Sequence, residues 1–291
     1  MVNPAIVIAA LLTLTPYLAA AFFPGKLQSA AEALSVRVRL LASIILCVPY
    51  LLVACSTRTF HWGWCALYAL LPVAISTLMW QAKNKDAARH GNWRDYLLLA
   101  FLGLAVDLRW LEPAWPPHLA VFNKMLLLDA GVYGLLVLRE LDGVGFDLRL
   151  RLPDVRIGLR EFIFYTPVAI AIGLSLGFLH LHASWPRLLQ LSGAFVFTFF
   201  FIAVPEELFF RGWLQNLLER RVGRYPALLL TASLFGLSHF NKRAIHFNWR
   251  YVLLAALAGI FYGRAWRQER RIGASAITHS TVDTIWGFWL R

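Results

Sequence analysis

Two adjacent glutamates, Glu206 and Glu207, stand in an otherwise apolar stretch that reads VPEELFFRG. Glu207 and Arg211 are four residues apart, so a helix would place them on one face, where they can form an ion pair. Glu206 would point about 100° away from that face and would be left available for proton chemistry. Pro205 removes a backbone donor just before the pair. We therefore expect the helix to kink or restart there, and a restarted helix would bring its positive N-terminal end close to the glutamates.

Two histidines follow in later apolar segments, and ionisable residues in such segments are costly and therefore candidates for function. His239 ends the segment LLLTASLFGLSH and is its only ionisable residue. A single histidine on an apolar helix is more often a packing residue than a ligand or catalyst. His279 and Asp283 are four residues apart in ITHSTVDT, so they share a helix face. Taken alone, they could form a hydrogen-bonded pair that only fixes helix packing.

The depth of these residues in their segments links the three motifs. Glu206 and His239 each lie about 20 Å from the predicted inner end of their segments, and His279 and Asp283 lie about 10 and 16 Å from theirs, at about 1.5 Å per residue. All four can therefore occupy one layer of a membrane. Packing alone would not be expected to bring three separate motifs to one depth.

Such a set of residues can hydrolyse a peptide bond without a serine or cysteine nucleophile. A carboxylate close to a confined water acts as a general base, and a histidine holds or polarises the same water. A second histidine donates to the oxyanion of the tetrahedral intermediate. Ser238 and Ser280 flank the two histidines, but the chain has no GxSxG motif, which disfavours a serine mechanism.

The composition excludes an ordinary soluble domain. Of the 291 residues, 59% are hydrophobic and only 15% are charged. The net charge of +12 comes from basic residues that fall between apolar runs, a pattern of membrane topology rather than of nucleic-acid binding. We predict an all-α fold, a polytopic transmembrane helical bundle of about ten spans. The predicted apolar segments cover roughly residues 4–23, 40–56, 62–81, 95–107, 119–138, 162–180, 190–218, 226–240, 250–266 and 272–290.

Charge in the loops predicts the orientation of these segments. Lys and Arg are concentrated in alternate loops, which predicts that both termini lie outside the cell. The loop containing Lys242, Arg243 and Arg250 is the weak point, because it is basic yet falls on the outer side. Which face the site serves therefore stays open.

A polar stretch over residues 139–161 divides the chain into two predicted halves. Its alternating apolar and charged residues are compatible with a short strand or with a segment at the membrane interface. We predict N-terminal membrane helices of unknown role over residues 1–155. The protease core is predicted over residues 156–291, with the motif region at 190–291.

The three motifs together resemble those of the CAAX prenyl endopeptidase and bacteriocin-processing family, the glutamic intramembrane proteases. That family carries EExxxR, FxxxH and HxxxN in this order on successive membrane helices. The corresponding residues in this chain are Glu206, Glu207 and Arg211, then Phe235 and His239, then His279 and Asp283.

The resemblance implies a role for each matching residue. Glu206 would be the general base, and His239 would help to bind the attacking water. His279 and Asp283 would line the oxyanion side, and Glu207 and Arg211 would support the site. Asp283 departs from the family's usual Asn, and an ionised aspartate cannot donate to an oxyanion. It would either be protonated or orient and charge His279 instead.

The prediction is thus an intramembrane endopeptidase that acts on a protein or peptide in or at the membrane. Its other expected partner is the lipid bilayer, with no nucleic acid, no cofactor and no metal. We expect a multi-pass protein of a bacterial plasma membrane. Two alternatives stay open: a zinc peptidase that uses the same residues, although HExxH is absent, and a non-catalytic membrane protein with a transport, immunity or scaffold role.

Overall fold

Helix is the only regular secondary structure of the described residues, which are 3–242 and 246–290 of the computed structural model. The all-α class is confirmed, and Arg243 of the basic loop lies outside the described residues. Within them we number eleven helices: α1 Pro4–Phe22, α2 Pro24–Glu32, α3 Val36–Thr57, α4 Trp62–Asn84, α5 Trp93–Asp107, α6 Pro117–Leu138, α7 Leu152–Ser175, α8 Leu188–Val222, α9 Arg224–Leu237, α10 Trp249–Glu269 and α11 Ile272–Trp289.

Six of these helices are long and apolar enough to cross a membrane, namely α1, α3, α4, α6, α7 and α8. The chain is a multi-pass membrane protein, but this number is lower than the ten predicted spans. Two predicted spans form short helices, α5 with 15 residues and α9 with 14. The last two helices, α10 and α11, contain many of the polar side chains of the second half, which lowers their hydropathy.

The chain forms two compact units, Met1–Asp142 and Gly143–Arg291. The first unit contains α1 to α6. Asn3 begins α1 with a side-chain cap on the backbone N–H of Ala5 at 3.0 Å. Asn92 and Asp95 form a capping box at the start of α5.

The second unit contains α7 to α11, and close backbone contacts hold its helices together. At Gly158, α7 approaches α11 so closely that a Cβ atom would lie 2.8 Å from the carbonyl oxygen of Ala274. Thr278 of α11 donates a hydrogen bond to the carbonyl of Gly158 at 3.0 Å. At Gly259, α10 is similarly close to Ala232 of α9. These contacts bring α7, α9, α10 and α11 together in one bundle.

The polar stretch between Glu140 and Arg151 contains neither a strand nor a helix. Its carbonyl groups instead bond to the turn between α10 and α11. The indole of Trp266 donates to the carbonyl of Val144 at 3.0 Å, and the backbone N–H of Ile272 donates to that of Gly145 at 3.0 Å. The strand alternative was therefore wrong, because the alternating residues of this stretch pack against a helical turn.

Candidate active site

The two glutamates lie in the middle of α8, which continues without a break from Leu188 to Val222. Two π-helical segments, Phe199–Ala203 and Leu208–Gln215, flank the α-helical turn Val204–Glu207. The widened turns accommodate the missing N–H of Pro205, so the helix does not restart there. The expected helix N-terminus at the glutamates is therefore absent, although π turns of this kind are frequent at functional sites.

Glu207 is completely buried and bonded on both carboxylate oxygens. Its Oε2 lies 3.1 Å from Nε of Arg211 and accepts a hydrogen bond from the hydroxyl of Ser275. Its Oε1 lies 2.9 Å from Nδ1 of His279. Arg211 also donates to the carbonyl of Gly259 at 3.0 Å, which ties α8 to α10. The ion pair predicted from the i,i+4 spacing is confirmed, and the buried charge has the compensating partners that it requires.

His279 is held in a single orientation by its neighbours. Its Nδ1 faces Glu207, while its Nε2 lies 3.5 Å from Oδ2 of Asp283 and 3.9 Å from Oε2 of Glu206. The ring of Tyr262 stacks on the imidazole with 4.6 Å between the centroids and an interplanar angle of 17°. With three carboxylates around one ring, we expect an imidazolium whose Nε2–H points toward Glu206 and Asp283.

The start of α11, eight residues before His279, is fixed by Arg271. Arg271 donates to Asp154 at 2.8 Å, lies 3.4 Å from Asp147, and donates to the carbonyl of Arg149 at 2.9 Å. Hydrogen bonds from Arg149, together with those from Arg271, hold the pKa of Asp147 below its ordinary value. Burial alone would lower the pKa of Arg271, but its bonds to Asp154 and Asp147 raise it. The ion pairs and hydrogen bonds of Arg271 therefore fix the start of the helix that contains His279.

His239 lies two residues past the end of α9, and its backbone neighbours indicate its tautomer. Its Nδ1 is 2.8 Å from the carbonyl oxygen of Phe235, an atom that can only accept. Nδ1 therefore carries the hydrogen, and Nε2 is left as an acceptor. The ring of Tyr251 packs against the imidazole at 4.9 Å between the centroids. An Nε2 acceptor can hold a water molecule by one of its hydrogens.

Glu206 differs from its neighbour Glu207 in both exposure and partners. Its side chain is 28% exposed, and its Oε1 lies 3.8 Å from Nζ of Lys242. Its Oε2 is buried and accepts no hydrogen bond from the described residues. His239 and His279 both interact with Glu206 electrostatically. Within the part of the chain that the structure describes, Oε2 therefore keeps its lone pairs open beside the imidazole of His279, 3.9 Å away.

Comparison with known proteins finds a family model that is similar to part of the second unit. Residues 188–285 match the Rce1-like family of type II CAAX prenyl endopeptidases. The match confirms the resemblance predicted from the three motifs, and it begins at the first residue of α8. It contains all six predicted site residues and does not extend into the first unit. No curated protein and no solved structure matches the chain.

A largely apolar cavity of about 80 Å³ borders the histidines of the Rce1-like region. His239, His279 and Asp283 form part of its wall. The rest is mostly aromatic and aliphatic and comes from α7, the loop after it, α9, α10 and α11, including Tyr165, Phe178, Phe235, Leu254, Tyr262 and Trp286. The volume is about half that of the roughly 150 Å³ cavities that accommodate benzene. A single compact apolar side chain fits it.

Three contacts of the Rce1-like site were not predicted from the motifs. Ser275 bonds to Glu207, Tyr262 stacks on His279, and Lys242 faces Glu206. Ser275 could have been found, because it is four residues before His279 and shares its helix face. The other two depend on how separate helices pack.

The described residues contain no group of three His, Cys, Asp or Glu side chains arranged to hold a metal ion. The nitrogen Nδ1 of His239 already faces a backbone carbonyl, and Nδ1 of His279 faces Glu207. Glu206 lies 3.9 Å from Nε2 of His279 and interacts electrostatically with His239, so the three side chains form one cluster.

Proposed function

We propose that the chain is an intramembrane endopeptidase that hydrolyses a peptide bond of a membrane-associated protein with water activated by Glu206 and His239. The observation that carries the proposal is the contrast between the two glutamates. Glu207 is bonded on both oxygens, whereas Oε2 of Glu206 accepts no hydrogen bond from residues 3–242 and 246–290. A general base needs such an open lone pair.

The reaction begins with a water held between Glu206 and Nε2 of His239. Glu206 removes one proton while the water oxygen bonds to the carbonyl carbon of the substrate. The resulting tetrahedral intermediate breaks its C–N bond, and the proton on Glu206 passes to the leaving nitrogen. General base catalysis of this kind contributes about 10²- to 10⁴-fold to the rate.

His279 and Asp283 act on the oxyanion side of this reaction. Nε2–H of His279 is the donor for the developing negative charge. The 3.5 Å contact with Asp283 supports the second of the two roles considered for that residue, in which it orients and charges His279. An aspartate can therefore replace the usual Asn without donating a hydrogen bond itself.

The cavity beside His279 supports a peptide substrate with a compact apolar side chain close to the scissile bond. The family description names prenylated CAAX tails, which have this character in their aliphatic residues. We therefore propose a C-terminal tail of this type as the first substrate class to examine. A cavity of about 80 Å³ holds a side chain, so a long lipid chain would have to lie in the bilayer.

The test compares the purified wild-type protein with Glu206→Gln on two reporter peptides, one ending in a farnesylated CAAX tail and one with the same tail unmodified. Mass spectrometry locates the cleaved bond. We expect Glu206→Gln to lose about 10²- to 10⁴-fold in rate. Glu32→Gln, an exposed glutamate of the first unit, is the matched control and should cleave normally. Full cleavage by Glu206→Gln would contradict the mechanism.

A second arm does not depend on the choice of reporter. Membrane fractions from cells expressing wild-type protein or Glu206→Gln are compared for peptide termini by proteomics. A protease should produce new termini only in the wild-type cells. Identical termini in both, together with normal function of the variant in the cell, would favour a non-catalytic role.

A further inference from the structure

Lys242 is a charged residue at the mouth of the site that none of the three motifs contains. Its Nζ lies 3.8 Å from Oε1 of Glu206, and its side chain is 41% exposed. It follows His239 by three residues, in the loop between α9 and α10. A lysine this close to the general base affects the charge of the base directly.

Backbone hydrogen bonds hold Lys242 in place. Its N–H donates to the carbonyl of His239 at 3.2 Å, and its own carbonyl accepts from Nδ2 of Asn248 at 3.1 Å. Asn248 also donates its backbone N–H to the carbonyl of Phe240 at 2.9 Å and caps the start of α10 through Tyr251. The lysine is therefore positioned by the same short segment that positions His239.

The other cationic or titratable groups that face Glu206 are already engaged. Arg211, on the same helix, pairs with Glu207 at 3.1 Å and bonds to a backbone carbonyl of α10. His279, from α11, is shared with Glu207 and Asp283. His239, from the end of α9, uses its Nδ1 on a backbone carbonyl. Lys242 is the partly exposed cation that faces Oε1 of Glu206, whereas His279 lies 3.9 Å from Oε2.

We propose that Lys242 is a positioning residue that keeps Glu206 ionised and turned toward the mouth of the site until a substrate arrives. The contact between Lys242 and Glu206 is long and partly exposed, so a water molecule can replace the lysine at the carboxylate. This inference rests on the proposed endopeptidase function. It assigns to Lys242 a part in catalysis that acts through Glu206.

The test is the pH profile of kcat/KM for the reporter peptide, measured for the wild type, Lys242→Met and Lys242→Arg. Loss of the positive charge should move the acidic limb of the profile up by about one pH unit, since an opposite charge at this distance shifts a carboxyl by about that much or more. At the acidic end of the pH range, Lys242→Met should therefore have about tenfold lower kcat/KM than the wild type. At alkaline pH the two proteins should have the same kcat/KM. Lys242→Arg should restore the wild-type limb.

Lys124→Met is the matched control, because Lys124 faces Glu112 at 3.9 Å in the first unit and is similarly exposed. It should leave the profile unchanged. Salt provides a second measurement, since a partly exposed pair is screened at high ionic strength. Raising the salt concentration should move the acidic limb of the wild type upward and should move that of Lys242→Met much less.

The outcomes separate this inference from the proposed function. If the wild type cleaves and Lys242→Met shows the same limb, or loses activity equally at every pH, the role of Lys242 is refuted while the protease remains. If Glu206→Gln cleaves normally, the proposed mechanism fails first. A shifted limb that Lys242→Arg restores supports the positioning role.

Discussion

Both units of the molecule contain an arginine that bridges two aspartates at the start of a helix. In the first unit, Arg139 pairs with Asp95 in the first turn of α5 at 2.8 Å and with Asp86 in the loop before it. In the second unit, Arg271 contacts an aspartate in the first turn of α7 and another in the loop before that helix. Both arginines are buried. The two units thus use the same electrostatic device to fix a helix start.

The units differ in the carboxylates that lie in the middle of their helices. The second unit contains a buried carboxylate, Glu207, with three bonded neighbours, and beside it Glu206 with an open oxygen. The first unit contains Asp129 in the middle of α6, fully buried and without an ion pair among the described residues. Tyr17 of α1 interacts with it electrostatically.

This difference indicates how a structural carboxylate can be told from a functional one in a membrane bundle. Asp95 and Glu207 have their oxygens occupied by cations and hydroxyl or N–H donors, which suits a supporting role. Glu206 is next to such a network, yet among the described residues its Oε2 accepts no hydrogen bond. Open oxygens alone do not identify a functional carboxylate, because both oxygens of the buried Asp129 also lack a hydrogen bond there. Glu206 differs from Asp129 in being partly exposed and in lying 3.9 Å from a histidine.

The largest expected effect comes from breaking the Glu207–Arg211 pair. Glu207→Gln should destabilise the protein by about 3–5 kcal/mol, because it leaves the completely buried Arg211 without its counter-charge. Thermal unfolding in detergent, followed by tryptophan fluorescence, measures the change. Glu206→Gln should unfold close to the wild-type temperature, because the contacts of Glu206 with described residues are long, at 3.8 Å to Lys242 and 3.9 Å to His279. Equal unfolding temperatures for the two variants would remove the distinction drawn between these glutamates.

A paired replacement sharpens this test. Replacing both Glu207 and Arg211 by apolar residues of similar size, Glu207→Leu with Arg211→Met, removes both charges together. The double variant should be more stable than Glu207→Gln, because no uncompensated charge remains. It should still cleave poorly, since His279 would lose the carboxylate on its Nδ1.

The next largest effect on stability is expected for Arg139 and Arg271, the two arginines that each bridge two aspartates. Arg271→Gln and Arg139→Gln should each cost about 1.5–3 kcal/mol of stability, since each loses hydrogen bonds between charged partners. At a temperature where both are folded, only Arg271→Gln should lower kcat/KM, because Arg271 fixes the start of the helix that carries His279. The measurement is cleavage of the reporter peptide beside an unfolding curve. Similar losses of kcat/KM in both variants would contradict a specific role of Arg271 in positioning His279.

Much of the site follows from spacing within single helices. The i,i+4 pairs Glu207–Arg211 and His279–Asp283 were both predicted, and both are contacts in the structure. The depth of each motif along its helix also predicted that Glu206 and His279 can occupy one layer of the membrane, and their side chains are 3.9 Å apart. Helical periodicity is a local property, so a single sequence is enough to infer it.

Other parts depend on packing that no local pattern describes. Lys242, after α9, lies 3.8 Å from Glu206 of α8, and this contact between two separate segments has no signal in the spacing of either one. The count of spans was too high because an apolar run does not show how long its helix is, and α9 has only 14 residues. The π turns around Pro205 were also missed, since a proline indicates only that the regular hydrogen bonding must change.

The smallest expected effect concerns Asp129, and it tests whether the first unit has chemistry of its own. Asp129→Asn keeps the shape of the side chain and removes a buried acid that has no ion pair to lose. Because burying an unpaired carboxyl is unfavourable, stability should stay within about 1 kcal/mol of the wild type or rise slightly. Cleavage of the reporter peptide should not change. If Asp129→Asn instead reduced kcat/KM while the unfolding temperature stayed the same, an acid outside the three motifs would be needed for catalysis, and the first unit would have to be counted as part of the enzyme.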